Sequence, residues 1–368
     1  MDFPKALLEK LQQRQKQNAL RTLRPPNTLV DFSSNDYLGF ARSQSIVRNA
    51  GALLTSDNLN GATGSRLISG NHPLFDLAEL QIAGFHQRES ALIFNSGYDA
   101  NVGLFSSVPQ RHDIILYDEL SHASIRDGIS LSQARAFKFR HNDLSHLEDL
   151  LQKHRASAQE TYIATESVFS MDGDSPDLDE MARIANKYNA RLIVDEAHAI
   201  GVFHSGLATS RDVFATVITF GKAMGSHGAA VLGSQDLRSY LINFARSFIY
   251  TTALPPHSIA MIIAAYRELK SASEPEILQT KIALFKESAA AFGLHFIESN
   301  SAIQCLIVPG NDRVKALSKK LQTAGFDVRP ILSPTVPAGA ERLRICLHAF
   351  NSDEEIRSLV EAISRAFA

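Results

Sequence analysis

Two apolar runs in this sequence end in residues whose types suit chemistry. Leu192-Ile193-Val194 breaks off into Asp195-Glu196-Ala197-His198, and Val217-Ile218-Thr219-Phe220 breaks off into Gly221-Lys222. Runs this short and rich in β-branched residues read as buried parallel strands. Polar groups at the ends of such strands face the ligand crevice of an open α/β sheet, so an acid and an amine stand where a ligand would bind. A lysine is costly there unless its amine is used, because desolvation disfavours the charged form.

One cofactor asks for this pair. Pyridoxal phosphate attaches through its aldehyde to a lysine, and its protonated ring nitrogen needs a carboxylate to remain an electron sink. Asp195 and Lys222 fit those two roles. A plainer reading stays open at this point, with Asp195 as a helix cap and Lys222 as a solvated loop residue. Nucleotide sites find no support, since neither GxxxxGK[ST] nor GxGxxG occurs.

Other strand ends carry similar double readings. In Phe94-Asn95-Ser96-Gly97-Tyr98-Asp99-Ala100-Asn101 a strand turns into a helix, whose free N–H groups at Gly97 and Tyr98 suit a phosphate or simply begin a helix. His122, in Asp118-Glu119-Leu120-Ser121-His122-Ala123-Ser124, either stacks on a planar cofactor or caps a helix, and Ser170 in Val168-Phe169-Ser170-Met171-Asp172-Gly173-Asp174 is equally ambiguous. His198 is placed to meet a phenolic oxygen on the ring. No second ligand at a familiar spacing makes it a metal site, and no metal is expected.

The surrounding elements must position these groups. From about residue 73 helix and strand patterns alternate: a helix through Phe75, Leu77 and Leu80, strands at 91–94, 114–117, 137–139 and 162–165, and a helix over 97–106. Ser175-Pro176-Asp177 opens a further helix, with Met181, Ile184, Ala185 and Tyr188 at helical spacing. Repeated β-α-β units predict a mostly parallel sheet covered on both faces. Gly61-Ala62-Thr63-Gly64-Ser65-Arg66 reads as a loop. After about residue 255 the texture changes to two long helical stretches, 256–270 and 275–292. Strands at 302–308 and 342–347 follow, with helices at 312–324 and 352–366. The expected organisation is an N-terminal segment 1–45, a large α/β domain 46–255 and a smaller α+β domain 256–368. Across 368 residues, 45% hydrophobic and 21% charged with a net charge of -2, there is no electrostatic case for nucleic acid or an anionic membrane. Cys305 and Cys346 lie in apolar runs and imply no disulfide framework. Leu7, Leu8 and Leu11 form a helical stripe without a signal peptide's apolar core, and no run reaches membrane-spanning length, so a cytoplasmic location is expected.

In order and spacing, SSNDYLGF, GATGSRLISGNHPLFDLAEL, FNSGYDAN, DELSHAS, HND at 141–143, TESVFSMDGD, VDEAHAIGV, TFGKAMGSHGAAV, IYTTALPP and TVPAGAERLRI resemble the α-oxoamine synthases. This is a pyridoxal-phosphate family of the aspartate-aminotransferase fold (fold type I), and the resemblance covers nearly the whole chain. It implies that Lys222 holds the cofactor and later takes the substrate's Cα proton, and that Asp195 pairs with the ring nitrogen. His198 and Ser170 would reach the phenolic oxygen side, and His122 would lie over the ring. Gly97, Tyr98 and Thr219 would hold cofactor and phosphate, with Thr251 or Thr252 reaching a phosphate across a homodimer interface. Arg344 would clamp the amino-acid carboxylate; Arg21, Asn35 and Thr335 would line the substrate path. The implied reaction is an acyl transfer with loss of CO2. SAIQ at 301–304 and the form PTVPAGAERLRI point to L-alanine and a pimeloyl thioester, carried by CoA or an acyl carrier protein. Sister synthases with another amino acid or acyl donor, and a cofactor-free scaffold of the same fold, are the alternatives. The chain departs from the family pattern at Ala199–Ala208, at Tyr98 where Phe is common, at His348 and Asn351, and in a short stretch from Arg24 to Phe32.

Overall fold

The computed structural model describes residues 3–23, 25–54, 59–208 and 212–367; Arg24, which opens the shortened stretch before Phe32, lies outside them. In chain order the described strands are β1 (Val30–Asp31), β2 (Ser90–Phe94), β3 (Ile114–Asp118), β4 (Arg135–Phe139), β5 (Thr161–Glu166) and β6 (Arg191–Asp195). They continue with β7 (Ala215–Thr219), β8 (Ala229–Gly233), β9 (Ile303–Ile307), β10 (Phe326–Asp327), β11 (Arg329–Ile331) and β12 (Arg342–Cys346). The chain forms two compact units, one of residues 35–170 and 175–275, the other of residues 1–34, 171–174 and 276–368.

The larger unit is built on a seven-stranded sheet of order β2-β8-β7-β6-β5-β3-β4, parallel except for β8, which runs antiparallel to both neighbours. Alternate residues feed two cores. Ile115, Tyr162, Ala164 and Ile193 pack with Leu104, Phe105, Ile125 and Leu241 on one face, while Ile114, Leu116, Ile163, Leu192 and Val194 pack with Leu147, Leu151, Met181 and Ile184 on the other. Burial on both faces is why these strands read as unbroken apolar runs. Each fully buried Ile or Leu contributes about 1.5–3 kcal/mol. The helix opened by Ser175-Pro176-Asp177 begins at Leu178; Asp177 is its cap, its side chain accepting the Glu180 N–H at 3.0 Å. β8 carries no strand signal of its own, because Ala-Ala-Val-Leu-Gly has weak strand propensity. Its place between β2 and β7 makes it a strand.

The helix Pro256–Leu269 buries Ile259, Ile262, Ile263 and Tyr266 and packs against the helices Gln44–Gly51 and Pro73–Phe85. Contacts therefore divide the chain after residue 275, later than the change of texture near 255. In the smaller unit β11-β12-β9 form an antiparallel sheet and β1 pairs with β10 in parallel. β10 and β11 are too short for any alternation to show. Residues 171–174 belong to this unit by their bonds. Gly173 O accepts from Ser299 Oγ at 2.8 Å and Ser301 Oγ at 2.9 Å, and Asp172 pairs with Arg342. Gly173 has φ +78°, and a Cβ there would fall 2.3 Å from Ile303 O, so only glycine fits. No helix among the described residues is long and apolar enough to cross a membrane.

Candidate active site

Five strands of the larger unit end in loops that carry the residues singled out above. Phe94 leads to Gly97, Asp118 to His122, Glu166 to Ser170, Asp195 to His198 and Thr219 to Lys222. Because these strands run parallel, their carboxyl ends lie on one edge of the sheet, where ligands of such sheets bind.

Two hydrogen-bonded chains converge at this edge. In the first, Lys222 Nζ lies 2.7 Å from His198 Nε2, His198 Nδ1 lies 2.7 Å from the Tyr37 hydroxyl, and that hydroxyl donates to Asn35 Oδ1 at 3.0 Å. In the second, Asp195 Oδ1 accepts the Ala197 N–H at 2.9 Å and Oδ2 accepts from Asn101 Nδ2 at 2.7 Å. Asn101 Nδ2 also donates to Ser124 Oγ at 3.0 Å, which lies 2.7 Å from His122 Nδ1. Electrostatics tie the two chains together, since both His122 and Glu166 feel the charges of Asp195 and Lys222.

His122 is exposed, yet desolvation by the protein on its inner side pushes its pKa below the ordinary value. Lys222 and Arg126 add to that, and Asp195 opposes it. Glu166 is fully enclosed and its Oε1 accepts the His122 N–H at 2.6 Å. Burial, then the Asp195 carboxylate, pushes its pKa up to about 8. A mostly protonated Glu166 and a neutral His122 thus flank the acid and the amine at neutral pH.

Gly97 begins the helix Gly97–Ser107, with Ser96 Oγ accepting the Asp99 N–H at 3.1 Å. A Cβ on Gly97 or Gly221 would lie in ordinary van der Waals contact with Thr219, at 3.7 Å and 3.8 Å. Thr219 Oγ1 itself donates to Gly228 O at 3.2 Å. Asn95 Nδ2 donates to Thr251 Oγ1 at 3.1 Å and to Thr252 O at 2.6 Å, which sets both threonines beside the turn after β2. Tyr98 is exposed and its hydroxyl donates to Asp127 Oδ2 at 2.6 Å. Ser170 is half-buried at the last position of its stretch of the larger unit.

Three candidates belong to the smaller unit. Arg21 Nη2 donates to Thr335 Oγ1 at 3.1 Å across 314 positions of sequence. Arg344, on β12, is 9% exposed, and its Nη1 donates to Cys346 Sγ at 3.0 Å. Its neighbour Arg342 is instead spent on Asp172 and Met171 O. Tyr37, Asn101, Ser124 and Glu166 were not singled out from sequence. One signal existed for Asn101: it stands on the core side of its helix with Ala100, Leu104 and Phe105, where an unused amide would be costly.

Residues 27–363 match the class I and II aminotransferase family. An 8-amino-7-oxononanoate synthase of Emericella nidulans is 42% identical over 405 aligned residues, which take in 99% of this chain and 96% of that one. The crystal structure of 8-amino-7-oxononanoate synthase from Francisella tularensis superposes with a TM-score of 0.77 at 30% identity, covering 92% of this chain and 98% of its own. Serine palmitoyltransferase from Sphingomonas wittichii superposes with a TM-score of 0.87 at 27% identity, covering 98% and 96%.

Proposed function

The chain belongs to the class I and II aminotransferase family, and within it to the α-oxoamine synthases; from that premise we propose that it joins L-alanine to a pimeloyl thioester with loss of CO2, giving 8-amino-7-oxononanoate. The observation that carries the chemistry is the Lys222 amine, 2.7 Å from His198 and sharing its electrostatic neighbours with Asp195. The choice of substrates rests on the relative at 42% identity, because acyl length is set by pocket side chains that a shared backbone leaves open.

The residues present suit pyridoxal phosphate. Lys222 offers the amine and Asp195 a carboxylate with both oxygens held by donors. A helix N-terminus at Gly97 and Tyr98, next to Thr219, suits a phosphate dianion. When bound, the cofactor supplies an electron sink next to the substrate's amino group.

The chain supplies binding and proton handling. With the cofactor bound, Asp195 would hold the proton of the ring nitrogen, and Lys222 would take the proton from the substrate Cα. His198, with Tyr37 and Asn35 behind it, and Ser170 would hold the phenolic oxygen side, and His122 would cover the ring. Arg344 offers a planar two-pronged donor to the alanine carboxylate. Arg21 and Thr335, already paired, would meet the acyl chain together with Asn35. A homodimer belongs to this reading, with Thr251 or Thr252 reaching the partner's phosphate, as does a cytoplasmic setting, which suits two buried cysteines held as thiols.

The test has two steps. Incubation with pyridoxal phosphate should produce a visible absorbance band, and borohydride should then fix the added mass on Lys222; Lys222→Ala should show neither. Release of CO2 should then be fastest for L-alanine with a pimeloyl thioester, among pimeloyl, succinyl, acetyl and palmitoyl donors each paired with alanine, glycine and serine. Preference for another pair moves the protein to a sister synthase, and absence of the band sinks the cofactor reading altogether.

A further inference from the structure

Asn101 stands inside the helix Gly97–Ser107, and its amide joins two of the groups assigned above. Nδ2 donates to Asp195 Oδ2 at 2.7 Å and to Ser124 Oγ at 3.0 Å. Ser124 Oγ lies 2.7 Å from His122 Nδ1, and the Ser124 backbone N–H donates to the same nitrogen at 3.2 Å. A backbone N–H can only donate, so Nδ1 is an acceptor and the proton of the neutral ring sits on Nε2. The Ser124 hydroxyl follows the same sense, taking a hydrogen from Asn101 and giving its own to Nδ1.

Asn101 and Ser124 are each 1% exposed, so water does not compete for these bonds. The Asn101 Oδ1 is buried without a partner among the described residues. An unmet acceptor of that kind costs stability, because burial strips its water and nothing replaces it. The residue carries this cost while its amino group serves the site at two points.

We infer that Asn101 is a positioning residue: through Ser124 it ties the Asp195 carboxylate to His122 and holds that imidazole as its Nε2–H tautomer. The roles of Asp195 and His122 rest on the function proposed above; the tautomer is a property of the chain alone. The charged and titratable groups around His122 are Asp195 at the end of β6, Lys222 after β7, Arg126 and Asp127 on its own helix, and Glu166 at the end of β5. A proton on Nδ1 would face the Ser124 N–H, so this wiring works against an imidazolium. A neutral flat ring is the form that can lie against a cationic pyridinium without like-charge repulsion.

The test reads the His122 ring nitrogens by NMR in the unloaded, 15N-histidine-labelled protein from mildly acid to mildly alkaline pH, with His122→Gln for assignment. The parent should show the Nε2–H form alone. Asn101→Ala and Ser124→Ala should each raise the share of the Nδ1–H form, which then meets only the longer contact from the Ser124 backbone N–H, and move protonation of the ring to higher pH. Asn101→Ala should also weaken pyridoxal phosphate binding by about tenfold, the loss of one hydrogen bond to a charged group. Parent-like tautomer and titration in the variants overturn the inference, and if Asn101→Ala does not fold, Ser124→Ala decides by the same signals. A parent protein that binds no pyridoxal phosphate would remove the proposed function while leaving the tautomer result to be judged by itself.

Discussion

Glu166 places a carboxyl where no water reaches it, and the consequence is a pH dependence of known sign. Its pKa is raised from 4.5 to about 8, so between those values the folded chain holds a proton that the unfolded chain has released. The stability this group contributes is full below pH 4.5 and is lost as pH rises toward 8. Glu166→Gln keeps an acceptor for the His122 N–H at Oε1 and removes the titration. Urea unfolding of the unloaded protein should therefore show the parent falling relative to the variant from pH 5 to pH 8, at a slope approaching ~1.4 kcal/mol per pH unit. Parallel pH profiles would mean that Glu166 ionises inside the folded chain at little cost.

At the scale of elements, the atypical segment Ala199–Ala208 is a closed loop organised by one side chain. Glu196 Oε1 accepts the Leu207 N–H at 2.5 Å and the Ala208 N–H at 3.0 Å, drawing the loop back to the end of β6. Gly206 makes the return possible, with φ +97°, and a Cβ there would stand 2.2 Å from Glu196 Oε2. The segment that departs from the family pattern thus carries glycine at the position where the backbone needs it. Gly206→Ala should cost more than Gly293→Ala, which shares a positive φ of +65° but has nothing within 4 Å of its Cβ. Backbone strain alone accounts for roughly 1–2 kcal/mol. Equal midpoint shifts in denaturant would show that the Glu196 carboxylate moves aside freely.

For the whole molecule, the larger unit leaves Ile68 at 87%, Leu80 at 74% and Tyr250 at 73% exposure, the last beside Thr251 and Thr252. Large side chains left in water, one of them adjoining the proposed phosphate-binding threonines, suit a surface covered by a second copy. Light scattering should give twice the chain mass of 40.4 kDa, and Ile68→Glu or Leu80→Glu should shift the protein toward monomer with loss of activity. A fully active monomer would rule out a site completed across an interface.

Reading the sequence alone was enough for the parallel α/β unit and for the positions at its strand ends. A strand buried on both faces must be apolar throughout, so the first polar residues after it mark the sheet's edge, as Asp195 and His198 do after β6. The ordered motifs then carried the family. Pairings between distant residues depended on the tertiary structure, because packing of helices on the sheet, rather than local propensity, decides which side chains meet. Asn101 meets Asp195 across 94 positions and Arg21 meets Thr335 across 314. Arg342 and Arg344 project alike from β12 and only their surroundings separate them: one is bound to Asp172, the other to Cys346. Neither β8's place in the sheet nor the tautomer of His122 has a local code, since both follow from neighbours brought together by the fold.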